Sequence, residues 1–113
     1  MIKIENLTKK YSKQTVLDIL SLEIPSGQTF GLIGNNGAGK TTLFSCLLDL
    51  IKPTKGKVIN NDVEVSTSED WKSFTTAFLD ETFLIGYLMP EEYFYFIGEL
   101  RGLSKIQVDN FVL

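Results

Sequence analysis

Histidine is absent from this 113-residue chain, and cysteine occurs once, at Cys46. The first absence removes Ser-His and Cys-His nucleophilic chemistry and any histidine-ligated metal site. The second removes an internal disulfide framework and fits a reducing compartment. Long apolar runs are missing too. The greasiest segment, 83–89, is interrupted by Gly86 and stopped by Pro90, far short of the roughly 18 residues of a membrane-spanning helix. Basic residues number 11 against 14 acidic ones, a net charge of -3. A nucleic-acid binder ordinarily carries a basic stripe, so no nucleic-acid partner is expected. Lys3, Lys9, Lys10 and Lys13 do gather near the start, where they read as a solvated strand-and-turn surface. Residues 1–5 alternate charged and apolar side chains and do not form a secretory signal.

What is present suits one small domain with a core: 43% of residues are hydrophobic and 22% charged. Ile2, Ile4 and Leu7 mark a half-buried strand, and 11–15 is a polar turn. The stretch 16–24 alternates, with Leu20, Leu22 and Ile24 expected inside and Ser21 and Glu23 outside. After Pro25-Ser26-Gly27, the apolar run 29–33 predicts a strand covered on both faces. Residues 41–51 predict a helix that Pro53 stops. A hairpin is expected about Asn60-Asn61-Asp62, a polar connection over 66–72 and a further strand over 74–79. Pro90, Glu91 and Glu92 open a helix that Arg101 and Gly102 close. Met89 stands where a Ser or Thr cap would be expected, so a less sharp start is anticipated there. Ser104 and Gln107 form a capping box for another helix.

Function is carried by Gly34-Asn35-Asn36-Gly37-Ala38-Gly39-Lys40-Thr41, followed by Thr42, which fits the pattern G-x-x-x-x-G-K-[ST] without mismatch. A triphosphate must be held without water, and successive backbone N–H groups in a tight loop form an anion-binding concavity. Gly34, Gly37 and Gly39 permit the positive φ and close backbone approach that such a loop needs. A helix start then adds free N–H groups and the positive end of its dipole. Lys40 is placed to reach the β- and γ-phosphates, and the Thr41 hydroxyl suits Mg²⁺, a hard cation that prefers oxygen. A glycine-rich turn spelling this pattern by accident is the competing account. It is weakened by the apolar run before the loop and the apolar helix after it.

The stretch 7–44, LTKKYSKQTVLDILSLEIPSGQTFGLIGNNGAGKTTLF, resembles the nucleotide-binding domain of ABC transporters. The resemblance continues through KPTKGKV at 52–58 and GELRGLS at 98–104, and so covers most of the chain. It implies an α/β fold: an ABC-type P-loop NTPase core with an N-terminal antiparallel β-subdomain over 1–89 and the start of a helical subdomain over 90–113. All of 1–113 would be the N-terminal part of one apparently truncated domain. ATP and Mg²⁺ are the implied ligands. Tyr11 falls where the family stacks an aromatic on adenine, and Val16 where it adds an apolar contact to the base; a core strand residue is the other account of Val16. Gly34, Asn35, Asn36, Gly37, Ala38, Gly39, Lys40, Thr41 and Thr42 would hold the phosphates, with Lys40 catalytic.

Asp80-Glu81-Thr82 falls at the family's glutamine loop, with Glu81 in place of glutamine. Glu81 is therefore a second catalytic and metal-binding candidate beside Thr41, with Asp80 its rival and a solvated loop carboxylate the other reading. Phe83, Tyr87, Tyr93, Phe94, Tyr95 and Phe96 either pack a helical subdomain or form a docking patch for a membrane-embedded subunit. Cys46 reads as a small buried hydrophobe. The ELRGL segment resembles the subgroup that serves exporters. The resemblance also implies a second nucleotide-binding domain as dimer partner and a cytoplasmic position on the inner face of the cell membrane. The signature segment, the metal-and-water strand and the switch histidine are expected beyond Leu113, so the 113 residues are expected to bind ATP without turning it over. Rival readings are another phosphate-loop enzyme, a non-catalytic nucleotide-responsive interaction module, and a soluble ABC protein working on ribosomes or DNA.

Overall fold

The computed structural model describes residues 1–34, 39–79 and 86–112. They form two compact units, Met1–Thr76 and Ala77–Leu113. The first unit is built on a four-stranded antiparallel sheet of order β2-β1-β3-β4. Its strands are β1 (Ile2–Tyr11), β2 (Gln14–Ile24), β3 (Lys55–Asn60) and β4 (Val63–Glu64). Helix α1 (Lys40–Leu47) lies between β2 and β3 in the chain. Ile4, Leu7, Leu17, Val58 and Val65 of the sheet region pack with Leu43 and Cys46 of α1 and with Trp71. At about 25 cal/mol per Å² of apolar surface removed from water, these side chains are the main favourable term for this unit.

Apolar alternation in β1 changes phase partway. Ile4 and Leu7 are both buried although three residues apart, because Asn6 adopts a left-handed φ of 49° and turns the strand over. Gly56 on β3 approaches so closely that a Cβ there would meet the Asn6 carbonyl oxygen at 2.2 Å. The register between β1 and β3 shifts at this point, between Glu5 and Thr8. The flip carries over to β2, where Ile24 and Leu22 pair with Ile2 and Ile4, and Ile19 then pairs with Leu7. Leu20, expected inside, is consequently 78% exposed. A second irregularity follows: Lys9 pairs with Leu17 but Lys10 with Thr15, which leaves Val16 as the extra residue of a β-bulge.

The hairpin forms as expected. Asn61 and Asp62 both take positive φ, 50° and 67°, the signature of the type I′ turn that matches strand twist. Two expected strands do not form. Residues 29–33 are irregular, with Ile33 97% exposed. An all-apolar strand needs ladder partners and cover on both faces, and among the described residues no strand of the sheet pairs with this run. Residues 74–79 likewise lack strand structure. The supposed polar connection before them holds a 3₁₀ turn, Asp70–Phe74, that buries Trp71 and lets its Nε1–H donate to the Val65 carbonyl at 3.1 Å. Burial of one large ring outweighs the polarity of its neighbours.

Helix α1 ends before Pro53 is reached. Leu50 N–H donates to Ser45 O and Asp49 N–H to Cys46 O, with Asp49 left-handed at φ 54°, which makes a Schellman stop.

The second unit contains α2 (Pro90–Leu100) and α3 (Lys105–Val112). Helix α2 opens at Pro90, and Glu92 accepts from the Met89 N–H at 3.0 Å. A carboxylate reaching back thus supplies half of a capping box where the missing Ser or Thr would have supplied the other. It closes with Gly102 at φ 76° and with Leu103 N–H on Gly98 O at 2.8 Å. The Ser104–Gln107 capping box forms in both directions, at 2.8 and 3.2 Å. Gly98 is buried against Val108. Tyr95 donates to Asp109, which holds the phenol above its ordinary pKa. Tyr87, Phe94, Phe96, Leu100, Ile106 and Phe111 are exposed.

Candidate phosphate-binding site

Helix α1 starts directly after the glycine-rich loop, with Gly39 as its N-cap at φ 94°. The first intrahelical bond runs from Leu43 N–H to Gly39 O at 2.8 Å. The N–H groups of Lys40, Thr41 and Thr42 therefore have no acceptor within the helix. No acidic side chain occupies the first turn, so the positive end of the dipole is not neutralised there. Gly39 must be glycine for two reasons. Its φ lies in the left-handed region, and a Cβ would sit 2.5 Å from the Val16 carbonyl oxygen. The bulged residue of β2 thus abuts the last glycine of the loop.

Lys40 is half-buried, and its ammonium donates to the Gly34 carbonyl, joining the two ends of the loop motif. Around this contact lies a cleft of about 240 Å³, lined among others by Val16, Asp18, Ile33, Gly34, Gly39 and Lys40. The lining offers an anion the Lys40 ammonium at the start of α1, beside apolar surface from Val16, Leu32 and Ile33 and the opposing carboxylate of Asp18. Thr41 is exposed on the first turn of α1, and Thr42 is half-buried. The Thr41 hydroxyl is a hard oxygen donor of the kind Mg²⁺ takes.

Of the residues singled out in the sequence, Val16, Gly34, Gly39 and Lys40 come together in this cleft. Tyr11 does not line it. It stands at the end of β1, 51% exposed, with the Lys9 ammonium 5.1 Å from its ring centroid. Asn35, Asn36, Gly37, Ala38, Asp80 and Glu81 lie outside the described residues. Sequence reasoning missed Asp18 and Ile33 as cleft residues. Alternation in β2 could have marked Asp18 as outward-facing, but nothing local said that the outward face meets the loop. Cys46 is buried in α1; desolvation raises its pKa, against a smaller lowering by Lys9. Among the described residues no cluster of three metal-ligating side chains occurs, and no helix is long and apolar enough to cross a membrane.

A glycine-capped helix start and a lysine returning to the first glycine, with an antiparallel sheet packed on that helix, fit a phosphate-loop protein. The sequence pattern of the ABC transporter family matches residues 17–86, and the chain belongs to that family. The lantibiotic transport ATP-binding protein SrtF of Streptococcus pyogenes is 46% identical over 59 residues, covering 52% of this chain and 26% of SrtF. The methionine import ATP-binding protein MetN of Clostridioides difficile is 46% identical over 67 residues, covering 59% of this chain and 21% of MetN. Among solved structures, the dimeric bacterial ABC transporter cassette MJ0796 shares the fold, with a TM-score of 0.79 at 24% identity over 96% of this chain and 52% of that one. The chain thus spans about a quarter of the curated relatives' length and about half of the solved cassette.

Proposed function

We propose that residues 1–113 act as the N-terminal part of one ABC-type nucleotide-binding domain, with 1–89 as β-subdomain and loop core and 90–113 as the start of a helical arm. In this reading Lys40 holds the β- and γ-phosphates. Asn36 through Thr42 supply backbone amides, Tyr11 stacks on adenine and Val16 touches the base. The observation that carries it is the cleft in which Lys40, Gly34, Gly39 and Val16 converge at the donor-rich start of α1. Thr41 and Glu81 would hold Mg²⁺, which supplies charge neutralisation to phosphate oxygens.

The complete protein, in this proposal, hydrolyses ATP as a dimer of nucleotide-binding domains and drives a membrane-embedded subunit from the cytoplasmic face of the cell membrane. Export is the favoured direction, on the ELRGL segment and the lantibiotic-transport relative. The methionine-import relative marks the opposite possibility. A transport assay in vesicles, with the membrane subunit present, separates the two.

Titration calorimetry with Mg-ATP tests the binding site. Lys40→Ala removes charge-assisted bonds and is expected to weaken binding roughly ten- to hundredfold. Equal affinity in parent and variant would sink the assignment. The 113 residues contain no LSGGQ-like segment and no histidine, which favours a second reading in which this stretch binds nucleotide as a responsive module without turnover. Phosphate release by the purified chain, lost in Lys40→Ala, would overturn that second reading.

A further inference from the structure

One lysine links the segment after α1 to the end of β1, where Tyr11 stands. Lys9 and Tyr11 are two residues apart in β1, on the same side of the strand. The Lys9 ammonium donates to the Lys52 carbonyl at 2.8 Å and lies 5.1 Å from the centroid of the Tyr11 ring, within cation–π reach. Its anchor is itself held. Lys52 precedes Pro53, which restricts its backbone to extended conformations. Thr54 N–H donates to Thr8 O at 2.7 Å, and Lys10 N–H donates to the Thr54 hydroxyl at 2.9 Å. These bonds stitch the segment after α1 along β1 at residues 8–10. The Schellman stop at Asp49 delivers the chain to that seam.

We propose that Lys9 is a positioning residue for Tyr11: held on the Lys52 carbonyl, its ammonium fixes one face of the phenol ring so that the other face is presented to a nucleotide base. This inference rests on the proposed base-stacking role of Tyr11. A tyrosine that is half exposed at a strand end otherwise samples several rotamers, and each must be given up when a base stacks on it. An ammonium tethered beside the ring removes part of that cost in advance.

The test separates base recognition from phosphate recognition by titrating the chain with Mg-ATP and, separately, with inorganic triphosphate and Mg²⁺. Parent, Lys9→Met, Lys9→Arg, Tyr11→Ala and the Lys9→Met/Tyr11→Ala double variant are compared, each checked for folding by Trp71 fluorescence. Lys9→Met is expected to weaken ATP roughly two- to fivefold, the range of an exposed cation–π contact, and to leave triphosphate unchanged. Lys9→Arg restores ATP binding to within about twofold. In the Tyr11→Ala background Lys9→Met has no further effect on the ATP-to-triphosphate ratio. An unchanged ratio in Lys9→Met, or the same loss with Tyr11 already removed, overturns the proposal. If Tyr11→Ala itself leaves ATP binding untouched, the base-stacking assignment beneath it fails instead, and the two failures are told apart by that variant alone.

Discussion

Gly39→Ala tests whether the loop's last glycine is demanded by the sheet beneath it. Two costs add. An alanine forced to hold φ near 94° pays roughly 1–2 kcal/mol for its left-handed backbone. Its Cβ would also meet the Val16 carbonyl oxygen at 2.5 Å, and the backbone of β2 would have to shift. Overpacking of this kind costs about 1–3 kcal/mol, so the total is about 2–5 kcal/mol, a large share of the roughly 5–15 kcal/mol that holds a domain together. Gly27→Ala is the control. Gly27 has φ 79° but nothing within 4 Å of a Cβ, so it carries the conformational cost without the contact. The gain from a less flexible unfolded chain is common to both and cancels in the comparison. Urea unfolding followed through Trp71 suits the measurement, since it is the single tryptophan, 4% exposed, and sits in the same compact unit. Gly39→Ala is expected to unfold at a urea concentration lower than Gly27→Ala by roughly 1 M or more. Coincident midpoints would show that the Val16–Gly39 approach is not a constraint and would refute the reasoning.

Three further outcomes follow from packing. Cys46 is 2% exposed and its thiol is pushed above the usual 9.0 chiefly by desolvation. Alkylation at pH 8 is therefore expected to be slow in the native chain and fast in urea; equal rates would count against a buried thiol. The unfolded chain loses that proton at lower pH than the folded one, so this contribution to stability is intact below about pH 9 and falls as pH rises above it. Gly98→Ala would bring a Cβ to 2.3 Å from Val108 Cγ2, an overpacking cost of about 1–3 kcal/mol against about 1 kcal/mol of better helix propensity. Limited proteolysis across α2 and α3 is expected to accelerate in Gly98→Ala and to slow again in the Gly98→Ala/Val108→Ala double variant. Acceleration that Val108→Ala fails to relieve would place the fault elsewhere.

Local chemistry made several features legible in advance. Asn61-Asp62 turn a hairpin because both tolerate positive φ. Pro90 and Gly102 bound α2, and Ser104 with Gln107 opens α3, because caps are satisfied by near neighbours in the chain. The loop from Gly34 to Thr41 is recognisable because anion binding by backbone amides needs glycines at fixed spacing. Its closing contact, Lys40 on the Gly34 carbonyl, is equally short-range.

Other features depend on residues far apart in the chain. Apolar runs at 29–33 and 74–79 have strand composition, yet a strand exists only where a second backbone offers its N–H and C=O groups, and no described strand pairs with either run. Leu20 looked internal, but the left-handed turn at Asn6, shared with the close approach of Gly56, reversed the faces of the sheet. Trp71 entered the core from a stretch too polar to announce it. The sequence by itself determined the phosphate-loop motif, the hairpin turn and the ends of α2 and the start of α3, since each depends on residues a few positions apart. Only the tertiary structure decided that a bulge at Val16 meets Gly39, that Lys9 spans from Lys52 to Tyr11, and which faces of β1 and β2 are inward. Those outcomes belong to pairs of backbones brought together over tens of residues, and no local pattern encodes the partner.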